Sequence, residues 1–192
     1  MDLRARRRTT TMRHVQSVAL DLFERHGFDA VTVADVAAAA EVAERTVFRH
    51  FGTKEMLVAH DDADAAFLAQ VADRATATGL LSAVRDVAAR IPPGAWTGRT
   101  DPGATWRRKL HLLRSTPSLA HVLDQESGRF GDLLARVVTG SEHPPFVARA
   151  RGRAVAAALT AAITAWAEGP EDDDLRDRVL EALAALESLD AR

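Results

Sequence analysis

Apolar residues recur every three or four positions along most of the chain, and the strict alternation that marks a half-buried strand is scarce. The first stripe is Val15, Val18, Ala19, Leu22 and Phe23, which predicts a helix over residues 11–26 that Gly27 ends. Thr32 then stands before an apolar run with Asp35 three residues on, a capping signature that predicts a helix start at Val33. Val33, Val36, Ala37 and Ala40 share one face of that short helix, and its alanines let a second helix cross close by. Val42 fills the turn. Val47 and Phe51 form the buried face of a second short helix over 43–51, with Phe48 on its flank.

Beyond residue 53 the pattern is helical again. Thr53 caps a fourth helix running from Lys54 towards Thr76, whose solvated face carries Asp61, Asp62 and Asp64. Gly79 separates it from a helix over 80–90. Pro92, Pro93, Gly94, Pro102 and Gly103 mark a loop. Helices follow over 104–114, 118–138, 146–167 and 173–189, broken at Pro117 and over 140–145. The expected fold is all-α, with a three-helix N-terminal head, a larger helical part and about nine helices in all.

Composition narrows the chemistry. The chain has 192 residues, 47% of them hydrophobic, with no Tyr and no Cys. Disulfides and thiolate metal sites are therefore excluded. The net charge of −2 argues against a uniformly basic nucleic-acid binder, but distribution matters more. Arg4, Arg6, Arg7, Arg8 and Arg13 form a basic arm that can follow phosphates or enter a minor groove, or remain a solvated tail. No long apolar segment follows this basic start and no stretch reaches bilayer-spanning length, so a soluble, cytoplasmic protein with no membrane partner is expected. No serine-nucleophile elbow, phosphate-cradling Gly-rich loop or His-Glu-x-x-His motif is present, and the seven histidines are scattered. No catalytic residue, cofactor or metal site is expected, and the chain does not read as an enzyme.

The second short helix carries the chemistry. Arg45, Thr46, Arg49 and His50 point away from its apolar half, and a short helix with one cationic face suits a phosphate-lined groove. Two short helices joined by a tight turn are the pattern of a helix-turn-helix reader, whose second helix enters the major groove. The run Thr32-Val33, Val36-Ala37, Ala40, Val42, Thr46-Val47-Phe48, His50-Phe51 and Lys54, preceded by Ala19, Leu22, Phe23, Gly27 and Phe28, resembles the DNA-binding region of the TetR family of bacterial transcriptional regulators. The resemblance covers roughly residues 10 to 60. It implies a basic arm and DNA-binding domain over 1–53 and a ligand-binding and dimerisation domain over 54–192. It implies that Arg45, Thr46 and Arg49 read bases or flanking phosphates, that Thr32, His50 and Lys54 clamp the backbone, and that Phe48 offers an apolar contact where the family more often has Tyr. Two departures stand out. Glu41 occupies the turn where Gly is usual, which costs roughly 1 kcal/mol if the backbone is left-handed there. Ala43 occupies the cap position of the second helix, where loss of a hydroxyl costs about 0.5–2 kcal/mol. These departures bring Glu41 and Glu44 close to DNA.

Two further sets of residues are expected to matter. Val155, Leu159, Ile163 and Trp166 on one late helix, with Val179, Leu183 and Leu186 on the next, form apolar stripes that either pair with a second copy as a four-helix dimer bundle or pack within one subunit. The dimer is favoured, because a two-fold reader presents its half-sites about one DNA turn apart. Phe67, Trp106, Leu110, His111, Leu113, Arg114, Phe130 and Leu134 would line a core pocket for an unknown small-molecule effector of amphipathic or acyl character, or serve as plain core and surface. The expected function is site-specific, with double-stranded DNA bearing a palindromic operator as partner of a homodimeric, ligand-responsive repressor. The alternatives are a ligand-independent or activating regulator, and a helical ligand-binding or scaffolding protein with a degenerate head.

Overall fold

The computed structural model describes residues 3–61 and 63–190. Among these residues the chain forms ten α-helices: α1 (Leu3–His26), α2 (Val33–Ala39), α3 (Glu44–Phe51), α4 (Met56–Ala59), α5 (Ala63–Thr78), α6 (Leu80–Ala89), α7 (Asp101–Ser115), α8 (Val122–Thr139), α9 (Phe146–Glu168) and α10 (Leu175–Asp190). A 3-10 turn, Pro117–Leu119, precedes α8. The all-α class follows the sequence pattern. No described helix is long and apolar enough to cross a membrane.

The helices gather into two compact units. One contains residues 1–62 and 108–122, the other residues 63–107 and 123–192. The first unit thus extends past residue 53, where the sequence placed the domain boundary, and takes in the second half of α7.

In the first unit α1 buries Met12, Val15, Ala19, Leu20 and Phe23, while Val18 and Leu22 are half-buried. Gly27 ends α1 with a left-handed φ of 83°, and its N–H donates to the Phe23 carbonyl. The helix begins at Leu3, eight residues before the expected start. The stretch read as an arm is therefore helical backbone from residue 3, although the side chains of Arg4 and Arg6 lie outside the described residues. Polar and basic residues of good helix propensity extend α1 without an apolar stripe to announce them.

The fourth helix departs most from expectation. In place of one helix over 54–76, α4 ends at Ala59, His60 adopts an extended ψ of 135°, and α5 starts afresh at Ala63. The Gln16 side-chain amide donates to the carbonyls of Leu57 and His60. The ammonium of Lys109, whose residue is only 3% exposed, donates to the same His60 carbonyl at 2.7 Å. Side chains from distant α1 and α7 thus satisfy carbonyls that a continuing helix would have used. Thr53 bonds the Glu55 carboxylate, holding its pKa below the ordinary value, and the N-cap of α4 is Glu55, without a side-chain cap bond, in place of the expected Thr53. Arg108 closes the unit with bonds to both Asp21 and Glu24 on α1.

The second unit is built on a buried cluster of Val71 and Ala75 from α5, Ala83, Val84 and Val87 from α6, Leu134 from α8, Val155, Ala156 and Leu159 from α9, and Leu183 from α10. Helices α8 and α9 meet at backbone distance: a Cβ at Gly152 would lie 2.2 Å from the Gly131 carbonyl oxygen. Arg107 secures the end of α9. Its guanidinium donates to the carbonyls of Ala167, Gly169 and Pro170 and lies 4.6 Å from the Trp166 ring centroid. A cation there meets both the orphan carbonyls of a helix C-terminus and its negative dipole end. Replacing Arg107 by Ala should lower unfolding free energy by about 2–3 kcal/mol, as expected for lost charged hydrogen bonds. Urea denaturation should show this as a lower midpoint with an unchanged slope.

Candidate nucleic-acid interface

Helix α2 starts where its capping box places it. The Thr32 hydroxyl accepts from the Asp35 N–H at 3.1 Å, and the Asp35 carboxylate accepts from the Thr32 N–H at 2.8 Å and from its hydroxyl at 2.6 Å. These bonds hold the exposed Asp35 carboxyl below its ordinary pKa. They also engage the hydroxyl proton of Thr32, the proton a phosphate clamp would need.

The turn into α3 contains the only non-Gly residue with positive φ among those described, Glu41 at 54°. It lies where the sequence departs from Gly, so the strain anticipated there is present. The N-cap of α3 is Ala43, with extended backbone and no side-chain cap bond. An eight-residue helix with these two handicaps is held by packing. Val47 and Phe51 are buried on α3, against buried Val36, Ala37 and Ala40 on and just after α2. Helices α2 and α3 are in contact, as are α1 and α2.

The opposite face of α3 is open. Glu44, Arg45, Phe48 and Arg49 are exposed, Phe48 at 46%, and Thr46 and His50 are half-buried. Thr46, Arg49 and His50 join Arg7, Arg8 and Thr11 of α1 around a concavity of about 560 Å³. Burial and the positive charges of Arg49 and Arg8 lower the pKa of His50. Of the expected DNA-contacting residues, Glu44, Arg45, Thr46, Phe48, Arg49 and His50 thus sit together on one helix. Lys54 is turned elsewhere: its ammonium donates to the Phe28 carbonyl and lies 4.2 Å from the centroid of the Phe28 ring. In this conformation it ties the α3–α4 connection to the α1–α2 turn, and its expected phosphate contact is not formed. Arg7, Arg8 and Thr11 join the face because α1 is longer than its apolar stripe.

The other expected sets are distributed differently. Phe67 and Phe130 pack with ring planes tilted by 42° and centroids 6.1 Å apart beside buried Leu134 in the second unit, where Trp106 is half-buried. Leu110 and Leu113 are buried core of the first unit, and His111 and Arg114 are exposed there. The eight residues are therefore divided between two units. Of the dimer stripe, Val155, Leu159, Trp166 and Leu183 are buried within one chain, and Ile163, Val179 and Leu186 are half-buried. The buried four are intrachain core, so no interface can use them without unpacking the unit. The outward ridge of α9 carries Ala150, Ala154, Ala157, Ala161 and Ala165 instead, with exposed Val147 at its start.

Residues 17–60 match the model of the bacterial regulatory proteins of the tetR family. Residues 74–190 match that of the MftR C-terminal domain. The chain belongs to the TetR family. Over 52 residues it is 48% identical to MftR of Mycobacterium tuberculosis, whose name ascribes to it regulation of mycofactocin biosynthesis, covering 27% of this chain and 26% of that protein. Over 146 residues it is 33% identical to the HTH-type transcriptional regulator TcmR of Streptomyces glaucescens, covering 73% of this chain and 64% of that protein. The matches thus span less than two thirds of either relative. Both relatives are named as regulators, not enzymes. The solved structure of NalD, the secondary repressor of the MexAB-OprM multidrug efflux pump in Pseudomonas aeruginosa, superposes with a TM-score of 0.50 at 17% identity over 94% of this chain and 95% of that one, a likeness of fold.

The two handicaps of α3 make a paired prediction for this TetR-family head. Glu41→Gly should stabilise by about 0.5–1 kcal/mol by releasing left-handed strain. Ala43→Ser should add roughly 1 kcal/mol by restoring a cap. Calorimetry should show each as a rise in Tm of about 1–4 °C, and the two should be close to additive only if turn and cap act independently.

Proposed function

We propose that this chain is a transcriptional repressor that binds a palindromic operator as a homodimer, with one α3 in the major groove of each half-site. The observation that carries this reading is the exposed cationic face of α3, Arg45 and Arg49 with Phe48 between them, on a helix whose opposite face is fixed by Val47 and Phe51. Arg45 and Arg49 present bidentate donors suited to guanine edges or phosphates. Phe48 offers a thymine methyl an apolar partner. Thr46 and His50 face the flanking backbone. Membership of the TetR family supports the same assignment. The net charge of −2 is compatible with it because the positive groups lie on one face.

Selection from a random duplex library should enrich a two-fold symmetric sequence, and its affinity should fall at least about tenfold between roughly 50 and 200 mM salt. Arg45→Ala and Arg49→Ala should each cost about 1–3 kcal/mol of operator affinity while leaving the melting transition in place. No enriched sequence would overturn the reading.

The second copy docks, on this proposal, through the outward alanine ridge of α9, because small side chains allow close helix approach. The half-buried Val179 and Leu186 of α10 lie on the next helix. Ala157→Glu should convert dimer to monomer in sedimentation and abolish cooperative operator binding, since the exposed Ala157 is outside the intrachain core.

Response to an effector is supported by family membership. An amphipathic or acyl molecule that prefers the DNA-free shape would release the operator by that difference in affinity alone. The apolar pair Phe67 and Phe130 in the second unit offers such a molecule an aromatic wall. A thermal-shift panel of acyl, aromatic and cationic compounds identifies the class.

A further inference from the structure

Ahead of buried Met12, the sequence of α1 runs Arg6-Arg7-Arg8-Thr9-Thr10-Thr11. Three cations lead straight into three hydroxyls. Arg7 and Arg8 stand four and three residues before Thr11, so the three side chains share one face of the helix. Thr11 is half-buried, and its hydroxyl donates to the Arg7 carbonyl at 3.0 Å, a local bond along its own helix. Thr11, Arg7 and Arg8 also line one concavity with Thr46, Arg49 and His50 of α3. The three arginines are exposed, and no hydrogen bond or ion pair among the described residues engages their guanidinium groups. None of residues 7–11 is buried. Few buried contacts hold this end of α1, so it opens at little cost and leaves the hydroxyl within reach of an enzyme.

We propose that Thr11 is a phosphorylation site, and that a phosphoryl group on its hydroxyl folds in against Arg7, Arg8 and Arg49 and shuts the α1–α3 face to nucleic acid. The Thr11 oxygen attacks the γ-phosphorus of a nucleoside triphosphate held by a protein kinase. The new P–O bond forms as the bond to the nucleoside diphosphate breaks, and the hydroxyl proton passes to a base of the kinase. The arginines serve twice. Ahead of the hydroxyl they are a handle for an acidic kinase groove, and afterwards they are the seat of the product. The ester carries a charge of about −1.5 to −2 at neutral pH and three acceptor oxygens, which arginine forks bind in pairs. It cancels about two of the three positive charges at the concavity. Being tethered, it competes with an incoming duplex at high effective concentration. The loss of binding rests on reading this face as nucleic-acid-binding, whereas the docking of the phosphoryl group within the chain does not.

The test uses the full chain, ATP and a purified arginine-directed protein kinase, with mass spectrometry to place the phosphate. A second preparation carries phosphothreonine inserted at position 11 during synthesis. The kinase should modify Thr11; phosphate on Thr9 or Thr10 alone, or none, would overturn the site. The chain phosphorylated at Thr11 should bind a generic duplex at least about tenfold more weakly than the unmodified chain, with a salt slope lower by about two. Equal affinity of the two forms would overturn the switch. Docking is read without DNA, from the phosphorus resonance. Arginines around the ester favour its dianion, so it should titrate below the ordinary value of about 6, and Arg49→Gln should bring it back towards that value. A titration at the ordinary value, unmoved by Arg49→Gln, would overturn the docking. Absence of duplex binding by the unmodified chain would count against the nucleic-acid reading alone, and the phosphorus titration would still decide the docking.

Discussion

The burial of two side chains, Val47 and Phe51, is the constraint on which α3 depends. Eight residues are too few to hold a helix in water unaided. This helix has neither a side-chain cap nor a relaxed turn before it. Its backbone order comes from packing against α2, and α2 in turn packs on α1. A face of Arg45, Phe48 and Arg49 can then be presented with fixed spacing although its own helix is marginal. The functional surface borrows its rigidity from the apolar surface beneath it.

Much of this was legible in the sequence because the deciding forces are local. The Thr32–Asp35 capping box, the Gly27 stop, the left-handed Glu41 and the uncapped Ala43 all depend on residues within a few positions of one another. The apolar period of α1 to α3 was equally plain. What failed to show was decided over long separations. Nothing near His60 announces that α4 will stop there, because Gln16 and Lys109 take up the freed carbonyl from far away in the chain. The inward turn of Lys54 depends on Phe28, in the preceding turn of the head.

The oligomer stripe illustrates a different limit. Large apolar residues at helical spacing state that a face is buried but not by what. Val155, Leu159, Trp166 and Leu183 are buried by their own chain, and the alanines on the outward side of α9 carry too weak a hydrophobic signal to compete with them. The contact of Gly131 with Gly152 was also invisible, since a glycine inside a helix does not say which backbone will approach it.

Three successive residues of α7 have unrelated attachments. Arg107 holds the end of α9, Arg108 engages Asp21 and Glu24 of α1, and Lys109 grips the carbonyl at His60. Successive side chains of a helix point about 100° apart, so the contacts of Arg108 and Lys109, both inside the first unit, fix the rotation of that part of α7 about its own axis as well as its place along it. The helix is keyed like a shaft. Substituting either residue removes one contact, whereas a residue inserted between Arg108 and Lys109 would turn one key a further 100° from the other, and the two could no longer seat together. The loop before α7 is held in its turn, the Gly98 N–H donating to the Glu171 carbonyl and the Leu175 N–H to that of Trp96, so its length is set as well.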